Sequence, residues 1–266
     1  MALRRISEDR PIFDQTDRMR PLELPQSSRP MIGVAVTAIA CASAAVLSSP
    51  HSSLASLILL FFLSGFFADM LTAFFHFGFD YVFPYGMPVL GPISREFREH
   101  HEEPTLDPSS YRVNFTKGAY ASLPLALIAL AILYMGAGSH AAFLIGGTVA
   151  GMSFWAIFFH QIHSYAHMGA HVSPEVFKAR VDEIARIDDP REQARQFDAF
   201  FAEAPIPWPV RMLQKARILL NPATHNLHHL QFESDFSSVN GWSDPVTNPL
   251  FRYLARHYKA KAAQTD

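Results

Sequence analysis

The chain has 266 residues, 49% of them hydrophobic and only 17% charged, with a net charge of −2. Soluble proteins average roughly 25% charged residues, so this composition points away from an ordinary soluble domain. The near-neutral balance gives no basic field for nucleic acid, and the single cysteine, Cys41, excludes an internal disulfide and a thiolate metal cage.

Residues 1–30 carry six arginines, five acids and several prolines and read as a poorly ordered tail. No apolar core follows the first arginines closely enough for a cleaved signal peptide. Residues 31–266 form the main domain. It opens on apolar runs at 31–49 and 54–76, where Asp69 is the one acid. Two more follow at 120–138 and 141–160. A bilayer core takes about 20 apolar residues per helix, so the four runs predict four transmembrane helices. Cys41 falls in the first and reads as a small buried side chain.

The joints Pro50–Ser53 and Ser139–His140 hold no Lys or Arg. Of the 22 basic residues, six lie in 1–30, four in 77–118 and twelve from Lys178 on. Basic loops stay on the cytoplasmic side. Two helical hairpins therefore enter from the cytoplasm, and both termini and the 77–118 loop stay there. Residues 169–204 are charged and helix-prone, an insertion of one or two exposed amphipathic helices. The segment Ile206–Leu220 alternates apolar residues with Arg211, Lys215 and Arg217, the pattern of a helix lying in the membrane interface; a helix packed on the cytoplasmic domain is the alternative. The fold class is an all-α integral membrane protein, four transmembrane helices with a cytoplasmic histidine-rich helical cap.

Histidine carries the chemistry. There are thirteen, and on this topology nine fall in clusters at one membrane face. His160, His163 and His167 follow the fourth span at helical spacings of three and four, which stack imidazoles on one face. His76 ends the second span. His100 and His101 are adjacent and point about 100° apart on a helix, so they can serve two ions, or one can bind an ion and the other hydrogen-bond to a ligand. His225, His228 and His229 share one helix face. His51, His140, His171 and His257 have surface roles. His76, His100, His101, His163, His167, His225, His228 and His229 give eight ligands in four groups, and a structural zinc takes four. Two ions are expected. Imidazole suits zinc, copper, iron and nickel; oxygen chemistry on an alkyl or acyl chain at the bilayer surface selects iron. A metal transporter or sensor is the alternative of another class, and it would need polar ligands at the bilayer midplane.

The segments Ala68-Asp69-x6-His76-Phe77-x2-Asp80, Phe97-Arg98-Glu99-His100-His101-x2-Pro104-Thr105, Gln161-Ile162-His163-x3-His167, Leu213-Gln214, His225-x2-His228-His229 and Gly241-Trp242 resemble the plasmanylethanolamine desaturase family. That family also holds a bacterial carotenogenesis regulator and a plastid phosphatidylglycerol desaturase. The resemblance implies a non-haem di-iron centre on the eight histidines and O2-dependent desaturation of a phospholipid chain, giving a vinyl ether in the plasmanyl-lipid members. It implies Asp69, Asp80 and His160 as hydrogen-bonding partners of the ligands, or His160 as an extra ligand. Leu106–Lys117 lacks the family's further histidine, and Ala73 and Phe77 replace its Gly and Trp, so an acyl-chain desaturase or hydroxylase stands as the alternative. No flavin, haem or ferredoxin motif is present; a separate donor of cytochrome b5 or ferredoxin type must supply electrons. The expected location is a bacterial inner membrane.

Overall fold

A computed structural model describes residues 27–102, 106, 108–167 and 172–265. The N-terminal stretch read as a tail lies outside them up to residue 26, as do Pro104, Thr105 and His171. The described residues hold ten α-helices and no strand. In chain order these are α1 (Arg29–Leu47), α2 (Leu54–Phe77), α3 (Leu90–Glu102), α4 (Tyr111–Met135), α5 (His140–His167), α6 (Pro174–Ala185), α7 (Pro190–Ala202), α8 (Trp208–Lys215), α9 (Pro222–Gln231) and α10 (Asp244–Thr265). A π-helical turn, Gly78–Val82, continues α2. Four helices are long and apolar enough to cross a membrane: α1, α2 through Val82, α4 and α5.

The chain divides into two compact units. One comprises residues 25–69 and 108–163, holding α1, α4 and most of α2 and α5. Its helices bury small residues: Ala35, Ala38 and Ile39 of α1 pack on Ala119 and Ala126 of α4 and Ile157 of α5. Without water to drive association, helices in lipid gain by letting backbones approach. Gly118 of α4 shows how closely they do. A Cβ there would lie 2.1 Å from the Ile157 carbonyl oxygen, a backbone atom that cannot swing away. Gly33, on α1, would meet nothing within 4 Å. We expect Gly118→Ala to cost about 1–3 kcal/mol by overpacking and Gly33→Ala to leave stability unchanged, read as thermal midpoints in detergent. Equal midpoints would show that this contact does not hold the helices.

The two short joints meet at one end of this unit. His51 Nε2 is 3.0 Å from the Gly138 carbonyl, and the His51 and His140 rings stand edge to face at 5.0 Å. At the other end, the Ser28 N–H donates to Thr116 Oγ1 at 2.9 Å, tying the start of α1 to α4.

Three helix limits and one burial differ from the sequence reading. α4 starts at Tyr111, not near 120, because the helix runs on through Lys117, whose stem can lie along apolar surface. α5 continues to His167 without a break, so the histidines ride on the span itself. His100 and His101 lie on α3 rather than in a loop. Cys41 faces outward on α1 instead of inward.

The second unit comprises residues 70–107 and 164–266. The segment read as exposed amphipathic helices builds a core of its own. Phe177 and Ile184 of α6 pack with Phe197 and Phe201 of α7 and with Ala223 of α9. Each such side chain, fully buried, contributes about 1.5–3 kcal/mol, so α6 and α7 brace α9 from behind. α8 leaves Trp208 and Met212 exposed.

Candidate metal centre

Within this second unit, four elements present side chains to one region: the end of α2 with its π turn, α3, the last turn of α5, and α9. α2 supplies His76. The π turn closes with the Phe83 N–H donating to the Gly78 carbonyl at 2.7 Å. Such one-turn departures from α geometry recur at functional sites; this one carries Asp80. Arg98 of α3, buried, holds the turn in place. Its Nε donates to the Phe79 carbonyl at 3.0 Å and its Nη2 to the Phe83 carbonyl at 3.3 Å, while its guanidinium sits 4.7 Å above the Tyr85 ring. α9 starts where Asn221 Oδ1 accepts the Thr224 N–H at 3.1 Å, with Pro222 at the first helical position. Asn226 Nδ2 then donates to the Ala166 carbonyl at 3.1 Å, fastening α9 to the end of α5.

The imidazoles fall into two groups. In the first, His76, His101 and His228 surround Asp80. Their Nε2 atoms lie 3.5, 3.2 and 3.6 Å from its carboxylate oxygens, and His76 and His101 Nε2 are 3.4 Å apart. The tautomers of two rings are fixed by chain carbonyls, which only accept. His76 Nδ1 donates to the Phe236 carbonyl at 2.8 Å and His228 Nδ1 to the Ser234 carbonyl at 2.7 Å. In their neutral forms both rings turn a bare Nε2 lone pair toward Asp80.

The second group is His100, His167, His225 and His229. His167 Nε2 is 2.8 Å from His100 Nε2 and 2.9 Å from His225 Nε2, and His225 Nε2 is 3.3 Å from His229 Nε2. Two nitrogens bound 2.0–2.1 Å from one ion lie about 3.0 Å apart at a right angle and about 3.4 Å apart in a tetrahedron. The nitrogens therefore already stand at the separations a shared ion requires.

Burial decides which protonation state these rings hold. His101, His225 and His229 are pushed below the usual histidine pKa, first by desolvation and then by neighbouring imidazoles, with Asp80 opposing the shift at His101. The neutral ring is the form that binds metal. Both Asp80 oxygens and His228 Nε2 are buried with no hydrogen-bond partner among the described residues. Buried polar atoms without partners are rare in native structures. A lone-pair-bearing nitrogen facing a carboxylate oxygen is repulsive unless a cation lies between them. The donor set therefore fits two divalent ions, each held by imidazole, with one carboxylate in the Asp80 group.

The adjacent His100 and His101 go to different groups, as their angular separation on a helix allows. His225, His228 and His229 are split as well: His228 joins the Asp80 group and its two neighbours the other. His163 lies one turn before His167 on α5 and is buried. His160 joins neither group and lies within electrostatic reach of Lys117 in its own unit. Asp69 is fully buried in α2, two turns before His76; the Phe236 carbonyl and Ser238 Oγ lie 2.8 and 3.4 Å from His76 Nδ1. Sequence reasoning missed Arg98, Asn226 and the Ser234–Phe236 carbonyls. Arg98 stood inside the quoted Phe-Arg-Glu-His-His segment. The loop carbonyls left no trace, since any residue supplies one. Arg98→Ala is expected to free the π turn and cost 10–100-fold in metal retention, the scale of losing a partner that orients ligands; unchanged retention against a chelator would show that the turn holds itself.

The family model described as a lipid desaturase domain matches residues 65–184. No curated protein and no solved structure matches the chain. The matched stretch contains His76, Asp80, His100, His101, His163 and His167 but stops before α9, so His225, His228 and His229 join these residues through the fold alone.

Proposed function

We propose, from the match of residues 65–184 to a lipid desaturase domain model and from the paired ligand groups, that the protein is a membrane-bound, O2-dependent lipid desaturase working with two non-haem irons. His76, Asp80, His101 and His228 hold one iron; His100, His167, His225 and His229 hold the other, with His163, one helical turn before His167, as its further ligand. The observation that carries the reading is the pairing of two converging imidazole sets in one buried region, one of them built around a carboxylate.

Iron in an imidazole and carboxylate cage supplies, with O2, the oxidising strength that an unactivated C–H bond demands. The chain's own residues set the conditions. Burial favours the neutral forms of His101, His225 and His229 and excludes water. The Phe236 and Ser234 carbonyls fix His76 and His228 as Nδ1–H tautomers, so their Nε2 atoms stay available as ligands. The Phe236 ring, edge to face with His228 at 4.5 Å and His76 at 5.6 Å, forms an apolar wall beside the first group.

The reaction balances with an external reductant. Two adjacent carbons each lose one hydrogen and form a double bond. O2 takes those two hydrogens, as two electrons and two protons, from the chain, two electrons from the separate donor and two protons from solution, and leaves as two waters. The substrate is a plasmanyl phospholipid, desaturated next to the ether oxygen, and the centre faces the cytoplasm. Expression in a host that makes ether lipids but lacks this activity tests the reading by lipid mass spectrometry, with and without acid. New acid-labile vinyl ethers support it. New acid-stable double bonds would move the substrate to an acyl chain. No new unsaturation, from protein purified with two irons and supplied with donor and O2, would overturn the desaturase.

A further inference from the structure

α10 carries more apolar surface than its packing uses. Its inner face is committed: Phe251 and Ala255 are fully buried, with Leu254 and Tyr258 packed beside them against Phe77 and Phe236. Next to that face runs a second stripe at spacings of four and three, Val246, Leu250 and Tyr253, which are 64, 44 and 70% exposed. Arg252 and Arg256 are exposed along the stripe's other edge, with Glu233 3.5 Å from Arg256.

The stripe's depth is set by a neighbour in the same unit. Phe74, in the last turns of α2, is 45% exposed on a helix apolar enough to cross a membrane, and its ring stands edge to face with Phe251 at 5.2 Å. An outward-facing aromatic at the end of a span lies at the lipid boundary. α10 is anchored beside it through Phe251, so its exposed stripe lies within a helix's width of that boundary. A contiguous apolar stripe with a basic edge is the signature of a helix lying in the plane of a phospholipid surface.

We propose that α10 is a membrane-interface helix, with Val246, Leu250 and Tyr253 immersed among acyl chains and Arg252 and Arg256 at the level of lipid phosphates. The proposal rests on reading α2 as a span. It has a consequence for the metal centre. Phe251 stacks on Phe77 at 4.9 Å and meets Phe236 at 5.1 Å, and Phe236 walls His76 and His228. A lipid-seated α10 thereby fixes the height of the Asp80 group above the chains it would oxidise.

The test uses full-length protein with Cys41→Ser, carrying single spin labels in place of Leu250, Tyr253 or Arg252, in vesicles of phosphatidylcholine and phosphatidylglycerol. Val36, half exposed on α1, supplies the lipid reference, and Lys178, exposed on α6, the water reference. Collision with dissolved O2 reports lipid and collision with a water-soluble nickel chelate reports water. Labels at 250 and 253 should shift to the Val36 ratio, and the label at 252 should stay near the Lys178 ratio. Nickel access at 250 and 253 with a lipid-like Val36 would overturn the interface helix alone; nickel access at Val36 would instead overturn the spanning reading. Protection of 250 and 253 from both reagents would show that protein covers the stripe, a second copy included, and would also overturn the proposal.

Discussion

Alanine at His101 and alanine at His100 should each leave one iron where the parent chain holds two, and each should lower desaturation by at least about a hundredfold, the upper end of what losing even an outer partner of a metal ligand costs. The expectation comes from adjacent residues having separate duties. His101 Nε2 faces Asp80 at 3.2 Å, while His100 Nε2 faces His167 at 2.8 Å. Removing either ring opens one ligand set and leaves the other complete. Iron per chain, measured after purification, separates this from unfolding, which would empty both. His160→Ala is the matched control: a histidine on the α5 segment that belongs to neither group, expected to keep both irons. Two irons retained after His100→Ala or His101→Ala would remove that histidine's group from the metal centre.

What the sequence disclosed follows how each interaction is encoded. The four spans were legible because a run of apolar residues is a local signal, and their ends were not. Lys117 broke the charge-free run and hid two turns of α4, because a lysine stem is apolar enough to continue a membrane helix. The histidines stood out by number and spacing, and the angle between neighbours on a helix left room for His100 and His101 to face different groups, as they do. The split within α9 was hidden. Spacings of three and four put His225, His228 and His229 on one face, but which ring meets Asp80 depends on how α9 docks, and Asn226 sets that by bonding a carbonyl sixty residues away. The core formed by α6 and α7 was hidden for the same reason: Phe177 and Phe197 looked like scattered apolar residues among charges until α9 supplied their common partner. Asp80 read as an orienting partner of the ligands, and the proposal makes it a ligand; helical spacing from His76 shows that the two are neighbours and says nothing of which atoms face an ion.

Asp80→Asn isolates that last point. The change keeps shape and removes charge, so it separates a carboxylate that binds an ion from one that only orients rings. A carboxylate orienting neutral imidazoles needs N–H groups to accept from, yet His76 and His228 spend their Nδ1 protons on the Phe236 and Ser234 carbonyls. One protonated imidazole could satisfy one of the three contacts around Asp80, not all of them. We therefore expect Asp80→Asn to hold one iron instead of two and to lose turnover as fully as His101→Ala. Its metal-free form should melt no lower than the metal-free parent, because a buried carboxylate without a cation is itself a cost that the amide removes. The parent should gain thermal stability when iron is added, as any ligand of the folded state provides, and the variant should gain less. Two irons with normal turnover in Asp80→Asn would return Asp80 to an orienting role. A metal-free variant that melts well below the metal-free parent would mean that the carboxylate holds the π turn rather than the ion.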